Sequence, residues 1–198
     1  MRLLPLLAAA SLIAAAALPV YAQRDRLGIA GQPAPSWGEL QWLNLPKDIP
    51  SLAVEDFRGK VLYVFCFQSW CPGCHSHGFP TLQEVERHFA GDENVHFVAI
   101  QTVFEGYSSN TTGRALGDLE DFGLEIPLAH EEGSGHGPSP FMRSYRTGGT
   151  PWTILIGPDG RVAWNGFSIK PEQAIARVEA LKPPRETTAE ESPAAGAD

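Results

Sequence analysis

Seven apolar residues, Val61-Leu62-Tyr63-Val64-Phe65-Cys66-Phe67, run straight into Cys71-Pro72-Gly73-Cys74 after a three-residue gap. This juxtaposition constrains the fold more than any other feature. The run is β-branched and aromatic and does not alternate. It therefore predicts a strand buried on both faces, the kind found in a parallel sheet covered by helices on each side. Pro72 suits the first position of a helix, where its missing N–H costs nothing. The cysteine pair thus falls where a buried strand feeds a helix. That helix is predicted to run towards Phe89, with Leu82, Val85 and Phe89 on one face. Gly78 and Pro80 are predicted to kink it.

The remaining pattern agrees with an α/β chain. Gly31 to Pro35 opens it as a proline-fixed arm, and a short strand is expected within Trp37–Leu45. Asp56–Lys60 is a turn. Val95–Val103 reads as a second buried strand, and Thr111–Phe122 as a helix capped by the preceding Ser/Asn/Thr cluster and stopped by Gly123. Ile126–Ala129 is a short strand and Pro140–Tyr145 a short helix. Trp152–Ile156, the turn Pro158-Asp159-Gly160 and Arg161–Trp164 form a hairpin. Pro171–Leu181 closes the chain as a helix. This order implies an α/β sandwich with parallel strands first and an antiparallel edge last.

Both ends read differently from the middle. Residues 1–22 have a basic start at Arg2, an apolar Ala/Leu run and small residues before Gln23, as in a secretory signal. An uncleaved anchor is the competing reading, weakened by Pro5 and Pro19 within a short run. The expected location is periplasmic or secreted, with no stable membrane insertion after cleavage. Residues 183–198 carry no large apolar side chain and are expected to form a disordered acidic tail. That leaves one domain at 23–182. The net charge of −8 without a basic block excludes nucleic acid as an expected partner.

A helix N-terminus presents unpaired N–H groups and partial positive charge. A thiolate at Cys71 is stabilised there, which makes it both more abundant and a better leaving group. Cys74, one turn into the helix, is placed to attack a disulfide formed at Cys71. A dithiol in this setting points to redox exchange.

Gln68-Ser69-Trp70-Cys71-Pro72-Gly73-Cys74 resembles the Trp-Cys-x-x-Cys active site of the thioredoxin fold. Gly31–Pro35 with Gly59-Lys60-Val61 resembles the N-terminal extension of the redoxin, TlpA/ResA-like, branch. Gly149–Gly160 resembles that branch's cis-proline strand and hairpin. The resemblance spans about residues 30–181 and implies a thioredoxin-like α/β/α sandwich with a mixed central sheet. It further implies an exported thiol–disulfide oxidoreductase that reduces protein disulfides, with Cys71 attacking and Cys74 resolving. Trp70, Thr150 and cis-Pro151 would face the substrate. The implied partners are protein thiols or disulfides and an upstream membrane electron donor, with no cofactor and no metal. Two departures stand out. Thioredoxins carry a buried Asp six residues before the first cysteine, where this chain has Phe65. The helix proline, Pro80, comes one residue late. Glu105 is a candidate substitute acid, with a solvated loop position as the alternative.

Other readings of the same residues stay open at this level. Cys71-x-x-Cys74-His75 also spells a c-type haem attachment, with Met142 the available axial methionine. Cys71, Cys74, His75 and His77, or a distant His130 or His136, could belong to a metal carrier. A thiol peroxidase would need Thr or Ser three residues before its cysteine and Pro seven before, which neither cysteine has. A structural staple across so short a loop would constrain the unfolded chain little. Cys66 is expected to be an inert core thiol. Asn110-Thr111-Thr112 is a glycosylation sequon by pattern and a helix cap by context. Trp37, Trp70 and Trp152 are candidates for a docking surface, with at least two expected in the core.

Overall fold

A computed structural model describes residues 27–133 and 137–184. The expected signal at 1–22 and most of the expected tail lie outside them. Six strands form one sheet: β1 (Gln41–Asn44), β2 (Val61–Phe67), β3 (Val95–Val103), β4 (Leu128–Glu132), β5 (Trp152–Ile156) and β6 (Val162–Phe167). Their order across the sheet is β1-β4-β3-β2-β5-β6. β2, β3 and β4 are parallel, whereas β5, β6 and β1 join antiparallel to their neighbours. Both edges are therefore antiparallel, a correction to the single antiparallel edge expected. The second one arises because the N-terminal strand returns to pair with β4. β4 itself starts two residues later than expected, since Pro127 lacks the N–H a ladder needs.

Four helices cover the sheet: α1 (Phe79–His88), α2 (Thr112–Asp121), α3 (Pro140–Tyr145) and α4 (Pro171–Leu181). The seven residues of β2 are all buried, and they divide by parity between two cores. Tyr63, Phe65 and Phe67 meet Leu82 and Val85 of α1, Leu119 of α2 and Val178 of α4. Leu62, Val64 and Cys66 meet Phe141 and Tyr145 of α3 and Trp37 of the N-terminal arm. This is the helix–sheet–helix layering that an unalternating strand demands.

The arm binds both ends of the sheet. Gly31 N–H donates to Val162 O and Ala34 N–H to Gly160 O, beside β6. The chain then crosses the α3 face, where Trp37 Nε1 donates to Tyr145 Oη at 3.1 Å and Tyr145 Oη donates to Pro35 O at 2.7 Å. It finally supplies β1 at the opposite edge. Asp118, Gln101 and Thr153 are polar yet buried, and two of them bear on the site described next. No helix among the described residues is long and apolar enough to cross a membrane.

Candidate active site

The side chains leading from β2 to the helix are held one by one. Gln68 is fully buried. Its Oε1 accepts from Trp70 Nε1 at 2.5 Å and from Asn110 Nδ2 at 3.0 Å. Ser69 Oγ accepts from Gln101 Nε2 at 2.6 Å, and Gln101 Oε1 in turn pairs with His130 Nδ1 at 2.6 Å. The Ser69 carbonyl accepts from His75 Nε2 at 2.8 Å. A segment pinned at successive residues presents Cys71 in a fixed position at the helix start.

The two cysteines are free thiols in different environments. Cys71 keeps 6% of its surface exposed and Cys74 none. The Cys74 backbone N–H donates to Cys71 Sγ at 3.2 Å, and Cys71 Sγ lies 3.5 Å from the Thr150 carbonyl. A hydrogen bond from the Cys74 thiol, aided by the backbone N–H groups of Cys74 and Gly73 and opposed by burial, lowers the Cys71 pKa to about 6. Burial, and then the role of donor to Cys71, pushes the Cys74 thiol up. The pair is thus biased in opposite directions, the slightly more accessible Cys71 towards thiolate and the fully buried Cys74 towards thiol.

Thr150-Pro151 is a cis peptide. It stands directly over the helix start. A Cβ on Gly73 would lie 3.4 Å from Pro151 Cδ, and one on Gly78 would fall within 2.7 Å of Phe65 Cζ and 2.9 Å of Pro151 Cβ. Cys71, Cys74 and the Thr150-Pro151 peptide therefore lie together, with Trp70 next to them in the chain and turned towards Gln68 and Gly106. The kink expected at Gly78 and Pro80 takes a specific form. Cys74–Gly78 is a π-turn, closed by Phe79 N–H donating to Cys74 O. A π-turn accommodates one extra residue, so the late proline is absorbed without moving the cysteines off the helix start.

The family model for redoxins matches residues 29–181. The chain belongs to the redoxin family. A thiol-disulfide isomerase from Corynebacterium glutamicum is 31% identical, covering 75% of this chain and 96% of its own, with a TM-score of 0.64. A thioredoxin-like superfamily protein is 29% identical, covering 76% and 96%, with a TM-score of 0.68. DsbF of MTB, solved in mixed oxidised and reduced forms, shares the fold at 17% identity, covering 76% and 97%, with a TM-score of 0.57. No curated protein matches the chain. At family level, then, the chemistry is thiol–disulfide oxidoreduction.

In this redoxin Phe65 fills the place of the thioredoxin acid with an apolar ring, 5.1 Å and edge-on to Phe79. Glu105 is exposed on the loop after β3. The carboxylate that sequence reasoning missed is Asp118 on α2. It is buried and its Oδ1 lies 3.8 Å from His75 Nε2. Burial raises its pKa, opposed by the Ser69 side chain and by His75. A signal was present: Asp118 follows Ala115 by three and so falls on the inward face of the helix.

The remaining candidates disperse. His75 is engaged with the Ser69 carbonyl, His77 Nδ1 pairs with Ser76 Oγ at 2.7 Å at the surface, and His130 is buried against Gln101. Among the described residues no group of three or more His, Cys, Asp or Glu is arranged to hold a metal ion. His136 lies outside them. Met142 is buried in α3. Cys66 is fully buried on the far face of the sheet, its thiol pushed up by burial and then by Glu131. Asn110 is fully buried, donating to the Glu105 and Gly106 carbonyls at 2.9 and 3.1 Å, and the capping role belongs to Thr111. Trp37 and Trp152 are core residues, and of the three tryptophans considered for docking only Trp70 is exposed.

Proposed function

We propose that this redoxin is an exported thiol–disulfide oxidoreductase of the TlpA/ResA-like kind, which reduces protein disulfides through the Cys71–Cys74 dithiol. The observation that carries the reading is the opposite treatment of the two thiols. One is eased towards thiolate at about 6 while the other is buried and held protonated.

Cys71 thiolate attacks one sulfur of a substrate disulfide. That S–S bond breaks, an S–S bond to Cys71 forms, and the departing thiolate takes a proton. Cys74, now without its acceptor, loses its proton and attacks Cys71 Sγ. The substrate leaves as a dithiol and the protein holds the two-electron oxidised pair. A membrane donor upstream would restore the dithiol. Trp70, Thr150 and Pro151 form the rim that meets the substrate chain, whose backbone can pair with the free groups beside Pro151.

The reductase direction rests on the resemblance to the TlpA/ResA-like branch; the potential depends on how far the Cys71 thiolate is stabilised. Thioredoxin, with a cysteine pKa of about 7, has a potential near about −270 mV, and the oxidant DsbA, at about 3.5, near about −120 mV. Measuring the potential of the Cys71–Cys74 couple against these two references gives the direction. The test is trapping. Cys74→Ser should accumulate mixed disulfides through Cys71 in the periplasm or culture medium, and Cys71→Ser should not. No Cys71-dependent adducts would overturn the reading.

A further inference from the structure

Beside the dithiol the surface carries a shallow cleft of about 350 Å³, lined by Trp70, Glu105, Gly106 and Ser109. Its walls are fixed to each other. Gln68 Oε1 accepts from both Trp70 Nε1 and Asn110 Nδ2, and the same Asn110 amide donates to the carbonyls of Glu105 and Gly106. The indole lies against Gly106, where an added Cβ would come within 2.8 Å of the ring. The indole N–H is already used by Gln68, and Trp70 is still 42% exposed, so its exposed part is carbon ring. Glu105 is exposed at the same cleft and is its only charged lining residue. An open aromatic face beside a lone carboxylate is complementary to a cation with an apolar stem, and above all to a planar guanidinium.

We infer that the Trp70–Glu105 cleft selects substrates, favouring extended protein segments that carry arginine or lysine next to the disulfide cysteine. The inference rests on the proposed dithiol exchange and names the substrate class of that same site. The attacked sulfur must reach Cys71, and Trp70 is the residue immediately before it, so a residue beside the substrate cysteine is within reach of the cleft. Glu105 plays the part that the sequence left between active-site acid and solvated loop: a specificity residue one cleft away from the sulfurs. An exposed ion pair and a cation–π contact together make the discrimination about five- to tenfold at low salt.

The test uses the reduced full-length protein and two fluorogenic peptide homodisulfides that differ only in having Arg or Glu beside cysteine. Each turnover converts one peptide disulfide to two peptide thiols and the Cys71–Cys74 dithiol to its disulfide. The readout is the Arg-to-Glu ratio of second-order rate constants, compared among wild type, Glu105→Gln and Glu105→Lys. The expected ratio in wild type exceeds that in E105Q about fivefold. It shrinks in high salt and inverts in E105K. Equal ratios in wild type and E105Q, with both peptides reduced, would overturn the preference alone. Failure of the wild-type dithiol to reduce either peptide would overturn the exchange reading and the preference with it.

Discussion

In the proposed exchange the chemistry turns on the Cys71 sulfur, and its ionisation makes predictions of both rate and stability. Alkylation of Cys71 should follow its thiolate fraction, with a midpoint at about 6. The pH dependence of the alkylation rate checks this directly. Cys74→Ala should raise the midpoint, because a thiol hydrogen bond from Cys74 is the largest cause of the shift. The folded value lies below that of an unfolded cysteine, about 8.5. The reduced protein should therefore gain stability as pH rises from about 6 to about 8.5, and lose it as pH falls through about 6. Cys71→Ser should abolish that rise in urea midpoints. Asp118 has the opposite sign. Its folded pKa is raised, so the unfolded chain ionises it first and stability falls as pH climbs from about 4 towards the folded value. Asp118→Asn should lose less stability than wild type as pH rises above the ordinary carboxylate value of about 4.

At the scale of elements, the strand-to-helix junction depends on a glycine as much as on the cysteines. Gly78 sits where a Cβ would meet Phe65 and Pro151 below 3 Å. Gly78→Ala should cost about 1–3 kcal/mol by overpacking and shift the Cys71 midpoint, because the π-turn must move away from Pro151. Gly117→Ala on α2 is the control. It has open space around it, so relief of the helix-interior glycine should stabilise by about 0.5–1 kcal/mol. Paired urea denaturation of the two variants checks both. The strand β2, strand β3, helices α3 and α4 and the dithiol's place were legible in the sequence, since burial on two faces and proline at a helix start leave local marks. The π-turn was visible only as a proline one residue late. Asp118, Gln101 and His130 were not read as site residues because their neighbourhood is built by the sheet order. β3 carries Gln101 next to β4's His130 and below Ser69, a contact between residues far apart in the chain.

Over the whole molecule, the N-terminal arm is what distinguishes this chain from a bare sheet with helices. It pairs beside β6, buries Trp37 against α3 and ends as β1 at the other edge. Trp37→Ala should destabilise by about 3–5 kcal/mol, as for other buried aromatic truncations, while leaving the Cys71 midpoint unchanged. Calorimetry together with the pH titration of Cys71 alkylation on the same samples separates the two effects. The arm was legible as a proline-fixed segment, but its span from one edge to the other was not, because nothing local in Gly31–Leu45 says which strand it will meet.

The central claim is that Cys71 and Cys74 form a reversible two-electron couple. The most direct measurement equilibrates the purified protein across glutathione redox buffers and counts the two thiols by alkylation and mass. A single two-electron transition, lost in either Cys71→Ser or Cys74→Ser and indifferent to Cys66→Ala, is the predicted result. A pair that stays fully reduced or fully oxidised in every buffer, or a transition that requires Cys66, would contradict it.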